Sequence, residues 1–316
     1  MKILALDLGG TRIKIGVVEQ EKILESRVVE ALSDRGFLPR LTALEPMLVE
    51  LLHDPRFSRG DIRGIGLSVP GIVDSKVARV LSINQKYNDI VGFDFRQWSD
   101  STFGLPLFLE NDARAALAGE WQFGSGKGCD NLVMVTLGTG VGAAALMEGE
   151  LLRGKHFQAG CLGGHFTIAY EGQTCNCGNI GCVESEASSW RLASLAVAEK
   201  DFATSGLSKA PTIDYEVLFR LAANNDPLSQ RLVHRSLLAW SAGVINLIHA
   251  YDPERAIIGG GMMRSAERII PFIADQVARR AWTPWGKVHV VKAQDIDNAA
   301  LLGVAHLLSE SLRGSL

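Results

Sequence analysis

Ile3-Leu4-Ala5-Leu6-Asp7-Leu8-Gly9-Gly10-Thr11-Arg12-Ile13-Lys14-Ile15-Gly16-Val17-Val18 is an apolar run carried through a glycine turn and into a second apolar run. It has an echo at Val133-Met134-Val135-Thr136-Leu137-Gly138-Thr139-Gly140-Val141-Gly142-Ala143-Ala144-Ala145-Leu146. In both stretches a polar turn follows (Glu19-Gln20-Glu21, Glu148-Gly149-Glu150) and leads to another short apolar segment. Each half of the chain is therefore expected to open with a meander of strands. Glycine at such turns lets backbone N–H groups converge on an anion with no Cβ in the way. Two matched turns, with Asp7 and Thr11 at the first and Thr139 at the second, suggest a polyphosphate held between two related domains. A pair of ordinary hairpin turns is the plain alternative, which glycine alone does not exclude. Gly138-Thr139-Gly140-Val141-Gly142-Ala143 also fits the G-x-G-x-x-A dinucleotide pattern, but that fingerprint needs a helix to begin at the glycines. The turn at Glu148-Gly149-Glu150 reads as a hairpin instead.

Beyond the repeat, the pattern alternates. Helices are expected over 41–53, 111–121, 186–200, 215–224, 227–250, 265–279 and 298–312, and strands over 62–69, 106–110, 255–258 and 288–291. The long apolar helix over 227–250 offers one possible oligomer surface, though its apolar character also suits a core. The whole reads as an α/β protein in two halves. The expected division is a small N-terminal domain over 1–112, to which a C-terminal helix at about 298–314 returns, and a large domain over 113–297.

Length and composition agree with this. The 316 residues are enough for two packed domains, and 47% hydrophobic content is ample for their cores. The net charge of −3 comes from 32 basic and 35 acidic residues mixed along the chain, so no basic face for nucleic acid is expected. No apolar run reaches the length of a membrane span. Met1-Lys2-Ile3 does not resemble a signal peptide, and a cytoplasmic location is expected.

Three of the five cysteines and one of the seven histidines cluster at His165, Cys175, Cys177 and Cys182. Gly172, Gly178 and Gly181 lie among them and let a loop fold back on itself. Three thiolates and one imidazole suit tetrahedral Zn²⁺ with no open position, a structural site. The alternative is a thiol-rich loop without metal. Cys-x-Cys is not the Cys-x-x-Cys redox spacing, and no thioredoxin-like context surrounds it. Cys129 and Cys161 read as small apolar fillers.

Asn111-Asp112 stands where a strand is expected to give way to an alanine-rich helix, the place where ligands meet an open α/β sheet. Asp112 could act as a general base on a substrate hydroxyl that Asn111 orients. Asn and Asp are equally at home as helix N-caps, worth roughly 1 kcal/mol, and spacing leaves both readings open. Phosphoryl transfer fits the set, because there the protein mostly positions groups and neutralises charge. Asp7 is then the candidate for holding Mg²⁺ through water. Lys14 faces the phosphates or the solvent. Gly259-Gly260-Gly261 lets an adenine ring approach or simply turns a strand into a helix.

Together these residues resemble the ROK family (repressors, open reading frames and kinases) over nearly the full length. The matching motifs are Leu6-Asp7-Leu8-Gly9-Gly10-Thr11, Val69-Pro70-Gly71-Ile72-Val73-Asp74, Glu110-Asn111-Asp112, Leu137-Gly138-Thr139-Gly140, Gly164-His165 through Glu184, and Asp252-Pro253 through Gly261. The resemblance implies the actin-like ATPase (ribonuclease-H-like) fold, with two domains and a cleft between them. It also implies an ATP-dependent sugar kinase that phosphorylates a hydroxyl, the 6-hydroxyl by expectation, of a hexose or N-acetylhexosamine. By the same resemblance Asp112 is the general base. Gly71, Asn84, Asn111, His165 and Glu184 contact the sugar, and Asp7, Gly9, Gly10, Thr11, Lys14, Gly138, Thr139, Gly140, Gly260 and Gly261 hold MgATP. His165 serves both zinc and sugar, and a homodimer is implied.

One departure concerns the sugar. The family's kinases carry Ala-Gly-Glu-x-Gly-His, whereas this chain reads Ala159-Gly160-Cys161-Leu162-Gly163-Gly164-His165. A charge-assisted hydrogen bond worth roughly 1.5–3 kcal/mol is missing there. Family repressors carry a helix-turn-helix domain ahead of the first phosphate loop, and Asp7 stands seven residues from the start of this chain, so DNA binding is not expected. The alternatives to a kinase are a non-catalytic sugar sensor and a transcriptional regulator.

Overall fold

A computed structural model describes residues 1–57, 61–84 and 86–314. The chain divides into two compact units. The first comprises Met1–Cys129, Leu151–Cys161 and Asp297–Leu316; the second comprises Asp130–Glu150 and Leu162–Ile296.

In the first unit, β1 (Lys2–Leu8), β2 (Arg12–Glu19) and β3 (Lys22–Glu30) form the expected meander, followed by α1 (Leu38–Leu52) and β4 (Ile62–Val69). The hairpin of β5 (Ile72–Asp74) and β6 (Arg79–Ser82), then α2 (Phe95–Phe103), β7 (Leu107–Asn111) and α3 (Asp112–Phe123), complete its N-terminal part. The sheet order is β3-β2-β1-β4-β7, with β4 parallel to β1 and β7 parallel to β4. β1 is apolar at nearly every position because both faces of the sheet are covered. Leu4, Leu6 and Leu8 pack in a core with Leu41, Leu44 and Leu48 of α1 and Phe95 of α2. Ile3 and Ala5 pack on the other face against Leu301, Val304 and Leu308 of the C-terminal helix, Ala299–Arg313.

The second unit repeats the plan. β8 (Leu132–Leu137), β9 (Val141–Met147) and β10 (Glu150–Leu151) form the meander. Next come α4 (Val183–Ala187), α5 (Ser189–Val197), α6 (Tyr215–Ala223), α7 (Pro227–Tyr251), β11 (Arg255–Gly259), α8 (Ala266–Arg280) and β12 (His289–Lys292). The order is β10-β9-β8-β11-β12, with β11 parallel to β8 and β12 parallel to β11. Strand for strand this is the order of the first sheet. At the second glycine turn β8 pairs with β9 antiparallel, Leu137 opposite Val141, and no helix begins there, so the dinucleotide fingerprint is coincidental. No helix among the described residues is long and apolar enough to cross a membrane.

The structure departs from the sequence reading in three places. A boundary at 112 separates α3 from the unit it packs in. A Cβ on Gly119 would stand 2.0 Å from the Ala299 carbonyl oxygen, and one on Gly303 would stand 1.7 Å from that of Ala115, so α3 and the C-terminal helix meet backbone to backbone. Gly303→Ala should therefore cost at least about 1–3 kcal/mol, the usual cost of overpacking, read as a lower melting temperature. Second, the helix expected over 186–200 is two helices broken at Ser188, which is extended. The break lets Ser189 and Trp190 donate their backbone N–H groups to the carbonyls of Gly138 and Thr139 (3.3 and 3.1 Å). Third, α1 begins at Leu38 because the Asp89 carboxylate accepts from the backbone N–H groups of Phe37 and Leu38. That cap comes from a distant part of the chain and has no local sequence signal.

Candidate active site

In the first unit, Asp7 is the penultimate residue of β1 and stands opposite Lys14 of β2. Its Oδ1 accepts from the Ser68 hydroxyl at 2.6 Å. Burial raises its pKa, opposed by that hydroxyl and by Lys14. Lys14 is itself paired with Asp297, whose carboxylate lies 3.6 Å from its ammonium. The turn that follows is tight: Gly9 N–H donates to the Asp7 and Arg12 carbonyls at 3.2 and 3.0 Å. The Ser33 hydroxyl donates to the Gly10 carbonyl (2.7 Å) and the Tyr87 hydroxyl to the Gly9 carbonyl (3.0 Å). This loop is clasped from outside while its Gly10 and Thr11 N–H groups donate to no acceptor among the described residues.

At the β7–α3 junction the cap falls to Asn111. Asn111 is the N-cap of α3, its Oδ1 accepting from Arg114 N–H at 3.1 Å. Its amide also donates to the Gly71 carbonyl (2.9 Å) and to Asp112 Oδ1 (3.0 Å), so Asn111 caps the helix and aims the carboxylate. Asp112 Oδ1 accepts in addition from Ala113 N–H at 2.8 Å. Its pKa is pushed up to about 6, first by burial and then by the charge of Asp7, against the pull of Ala113 N–H and the Lys86 cation. The charge of Asp7 raises the proton affinity of Asp112, and a dication nearby would offset that repulsion, so this donor set fits Mg²⁺. Gly71 has φ +98, and a Cβ there would stand 2.4 Å from the Ser82 carbonyl oxygen; only glycine fits at this sharp turn. Asn84 is exposed.

Behind the junction lies a buried ion network that sequence reading missed. Glu110 is fully buried and accepts from Arg153 Nε and Nη2 at 3.0 and 2.7 Å. Arg114, also fully buried, donates to the carbonyls of Leu152, Phe157 and Ala159. The two arginines thus tie the segment that ends at Cys161 to the strand and helix that carry Asp112. Cys161 is half-buried against the carbonyls of Phe157 and Gln158, and burial raises the pKa of its thiol. Arg153→Met should cost about 3 kcal/mol, the low end for breaking a buried pair, since Arg114 still compensates Glu110. A melting curve beside wild type checks it.

In the second unit, Gly138 N–H donates to the Gly140 carbonyl at 3.0 Å. Glu184 holds this turn: its Oε2 accepts from Val141 N–H (2.8 Å) and its Oε1 from Trp190 Nε1 (3.3 Å). Gly260 (φ +86) backs onto Leu137, while Gly261 faces open space. The ligand atoms of His165, Cys175, Cys177 and Cys182 all lie within 4.8 Å of one another. Tetrahedral zinc with Zn–S of about 2.3 Å and Zn–N of about 2.0–2.1 Å has S···S edges of about 3.8 Å and S···N edges of about 3.6 Å. Cys177 and Cys182 sulfurs are 3.8 Å apart, and Cys175 Sγ is 3.6 Å from His165 Nδ1. The cluster has the size and the donors of a structural zinc site. All five cysteines are free of disulfides.

Two repeated sheets, each with a glycine hairpin at its first turn, and a carboxylate at the end of a parallel strand define a class of phosphate-handling α/β proteins. The sequence profile of the ROK family matches residues 3–311, and the chain belongs to that family. It is 30% identical to the glucokinase of Thermotoga maritima, over 99% of each chain. It is 27% identical to the xylose repressor of Bacillus subtilis, over 96% of this chain and 72% of the repressor. A ROK family glucokinase from Streptomyces griseus, solved in complex with glucose and AMPPNP, superposes with a TM-score of 0.79 at 28% identity, covering 97% of this chain and 99% of that one. The fold is that of the actin-like ATPases.

Proposed function

We propose that the protein is an ATP-dependent carbohydrate kinase that transfers the γ-phosphate of MgATP to a hydroxyl of a hexose or N-acetylhexosamine, the 6-hydroxyl by expectation. The observation that carries this is Asp112, a carboxylate with a pKa of about 6 aimed by Asn111 and Ala113 in the same unit as the clasped Gly9–Gly10–Thr11 loop. A base poised near the working pH is what proton removal from a sugar hydroxyl requires. The hydroxyl oxygen attacks the γ-phosphorus, its proton passes to Asp112, and ADP leaves with the electron pair of the broken P–O bond. The loops at Gly9–Thr11 and Gly138–Gly140 hold the phosphates with backbone N–H groups. Gly260 and Gly261 let the adenosine approach, and Lys14, already paired with Asp297, lends its charge at longer range. Mg²⁺, held near Asp7, would neutralise phosphate charge.

Sugar contacts fall to Asn84, Asn111, His165 and Glu184, with Gly71 shaping the turn behind Asn111. With Nδ1 in the zinc cluster, His165 has Nε2 left for a sugar hydroxyl. Glu184 keeps free lone pairs on both carboxylate oxygens after its two protein hydrogen bonds. The relatives named glucokinase support this reading. A non-catalytic sugar sensor is the second reading, favoured by the thiol of Cys161 at a position where a sugar-reading carboxylate is expected and by the xylose repressor relatives. The assembly under the kinase reading is a homodimer, which light scattering checks.

The deciding experiment measures ADP release from MgATP across glucose, mannose, fructose, allose, N-acetylglucosamine and N-acetylmannosamine. A sugar-dependent signal supports the kinase and names its substrate. Sugar binding by calorimetry without turnover of any sugar would support the sensor.

A further inference from the structure

Lys86 stands in no sequence motif, yet its position is tightly determined. The next residue, Tyr87, is fully buried with φ 46, its N–H donates to the Ser33 carbonyl (2.8 Å), and its hydroxyl donates to the Gly9 carbonyl (3.0 Å). Ser33 in turn donates to the Gly10 carbonyl. The glycine loop and the segment carrying Lys86 are thus clasped together through two side chains. The result is that the Lys86 side chain lies over Gly10: the point a Gly10 Cβ would occupy is 2.7 Å from both Lys86 Nζ and Cε. The side chain is half-buried, and no hydrogen bond or ion pair engages its ammonium among the described residues. The same cation acts on the Asp112 carboxylate. An unpaired ammonium, two free loop N–H groups and the candidate base therefore converge in one unit.

We propose that Lys86 is a catalytic residue whose ammonium contacts the γ-phosphate of ATP and neutralises the charge of the transferred phosphoryl group. This rests on the kinase reading and deepens it. As the bond from the sugar oxygen to phosphorus forms and the bond to the β-phosphate oxygen breaks, negative charge spreads over the equatorial phosphoryl oxygens. Lys86 offsets that charge while Asp112 takes the proton. A lysine serves here as a point charge on a flexible stem, which follows the phosphoryl group as it moves. Lys14, already paired with Asp297, is less available for the same task.

The test uses the full chain with Lys86→Met, which keeps the stem, and Lys86→Arg, which keeps the charge. Calorimetry with Mg²⁺ compares AMPPNP, which has a γ-phosphate, with ADP, which has none. Lys86→Met should weaken AMPPNP by about tenfold or more, as expected for a lost charge-assisted contact, and leave ADP within about twofold. It should lower kcat by about 10²–10³-fold, and Lys86→Arg should recover most of the loss. The acid limb of the pH–rate profile should move upward in Lys86→Met, since the cation holds the Asp112 pKa down. Equal weakening of AMPPNP and ADP, or no weakening of either, overturns the assignment. Because the AMPPNP-to-ADP ratio needs no turnover, it is read even if no sugar is phosphorylated, an outcome that would count against the kinase reading alone.

Discussion

Asp112→Asn should lower kcat by about 10²–10⁴-fold, the range for removing a general base, with sugar affinity within a few-fold of wild type. The substitution is nearly isosteric, and the new side-chain oxygen can still accept from Ala113 N–H and Asn111 Nδ2, so the lost activity is lost proton transfer. Wild-type kcat/KM should fall about tenfold per unit as pH drops below about 6, where the carboxylate protonates, and the variant should lack this limb. Stability should move the other way. A carboxyl group whose folded pKa lies above its unfolded value binds its proton more tightly in the folded chain. That contribution is complete below about pH 4 and lost as pH rises through about 6. Above pH 6 the ionised carboxylate is therefore a burden on the fold, and Asp112→Asn should melt at or above the wild-type temperature. A variant that keeps full turnover would remove Asp112 from the role of base.

Cys177→Ser should release zinc and destabilise the second unit by more than about 4 kcal/mol, the exceptional range that accompanies metal loss. The cluster joins His165 to Cys175, Cys177 and Cys182. Glu184, two residues beyond Cys182, holds the Gly138–Gly140 turn through Val141 N–H. Loss of metal should therefore also raise the KM for sugar by freeing His165 and loosening Glu184. Metal analysis of the purified protein and a melting curve check this together. Undiminished zinc and an unchanged melting temperature would sink the knuckle.

The repeat between 3–18 and 133–146 is legible in the sequence, because a strand, a glycine turn and a second strand are written in consecutive residues. The two sheets share a strand order for that reason. The Cys/His cluster is readable for the same reason, since all four residues fall in one short segment. The start of α1 was not, because its cap comes from Asp89. The break at Ser188 was not, because it serves carbonyls of a distant turn. Nor was the boundary after α3, which the close approach of Gly119 and Gly303 to a facing helix decides.

For the site the same line holds. Asn111 and Asp112 were visible as a pair at a strand-to-helix junction, but residue type alone left cap and base equally open. The tertiary structure gives the cap to Asn111 and leaves Asp112 a half-buried carboxylate of raised proton affinity, because its surroundings and the charge of Asp7 come from other strands. Lys86 over Gly10, and Arg114 and Arg153 behind Glu110, had no sequence signal at all. The sequence by itself determined the local matter of this protein: its strands, its glycine turns and its Cys/His cluster, each fixed by covalent neighbours. Only the tertiary structure decided which charges meet, because a pKa or an ion pair depends on distance through space and on exclusion of water.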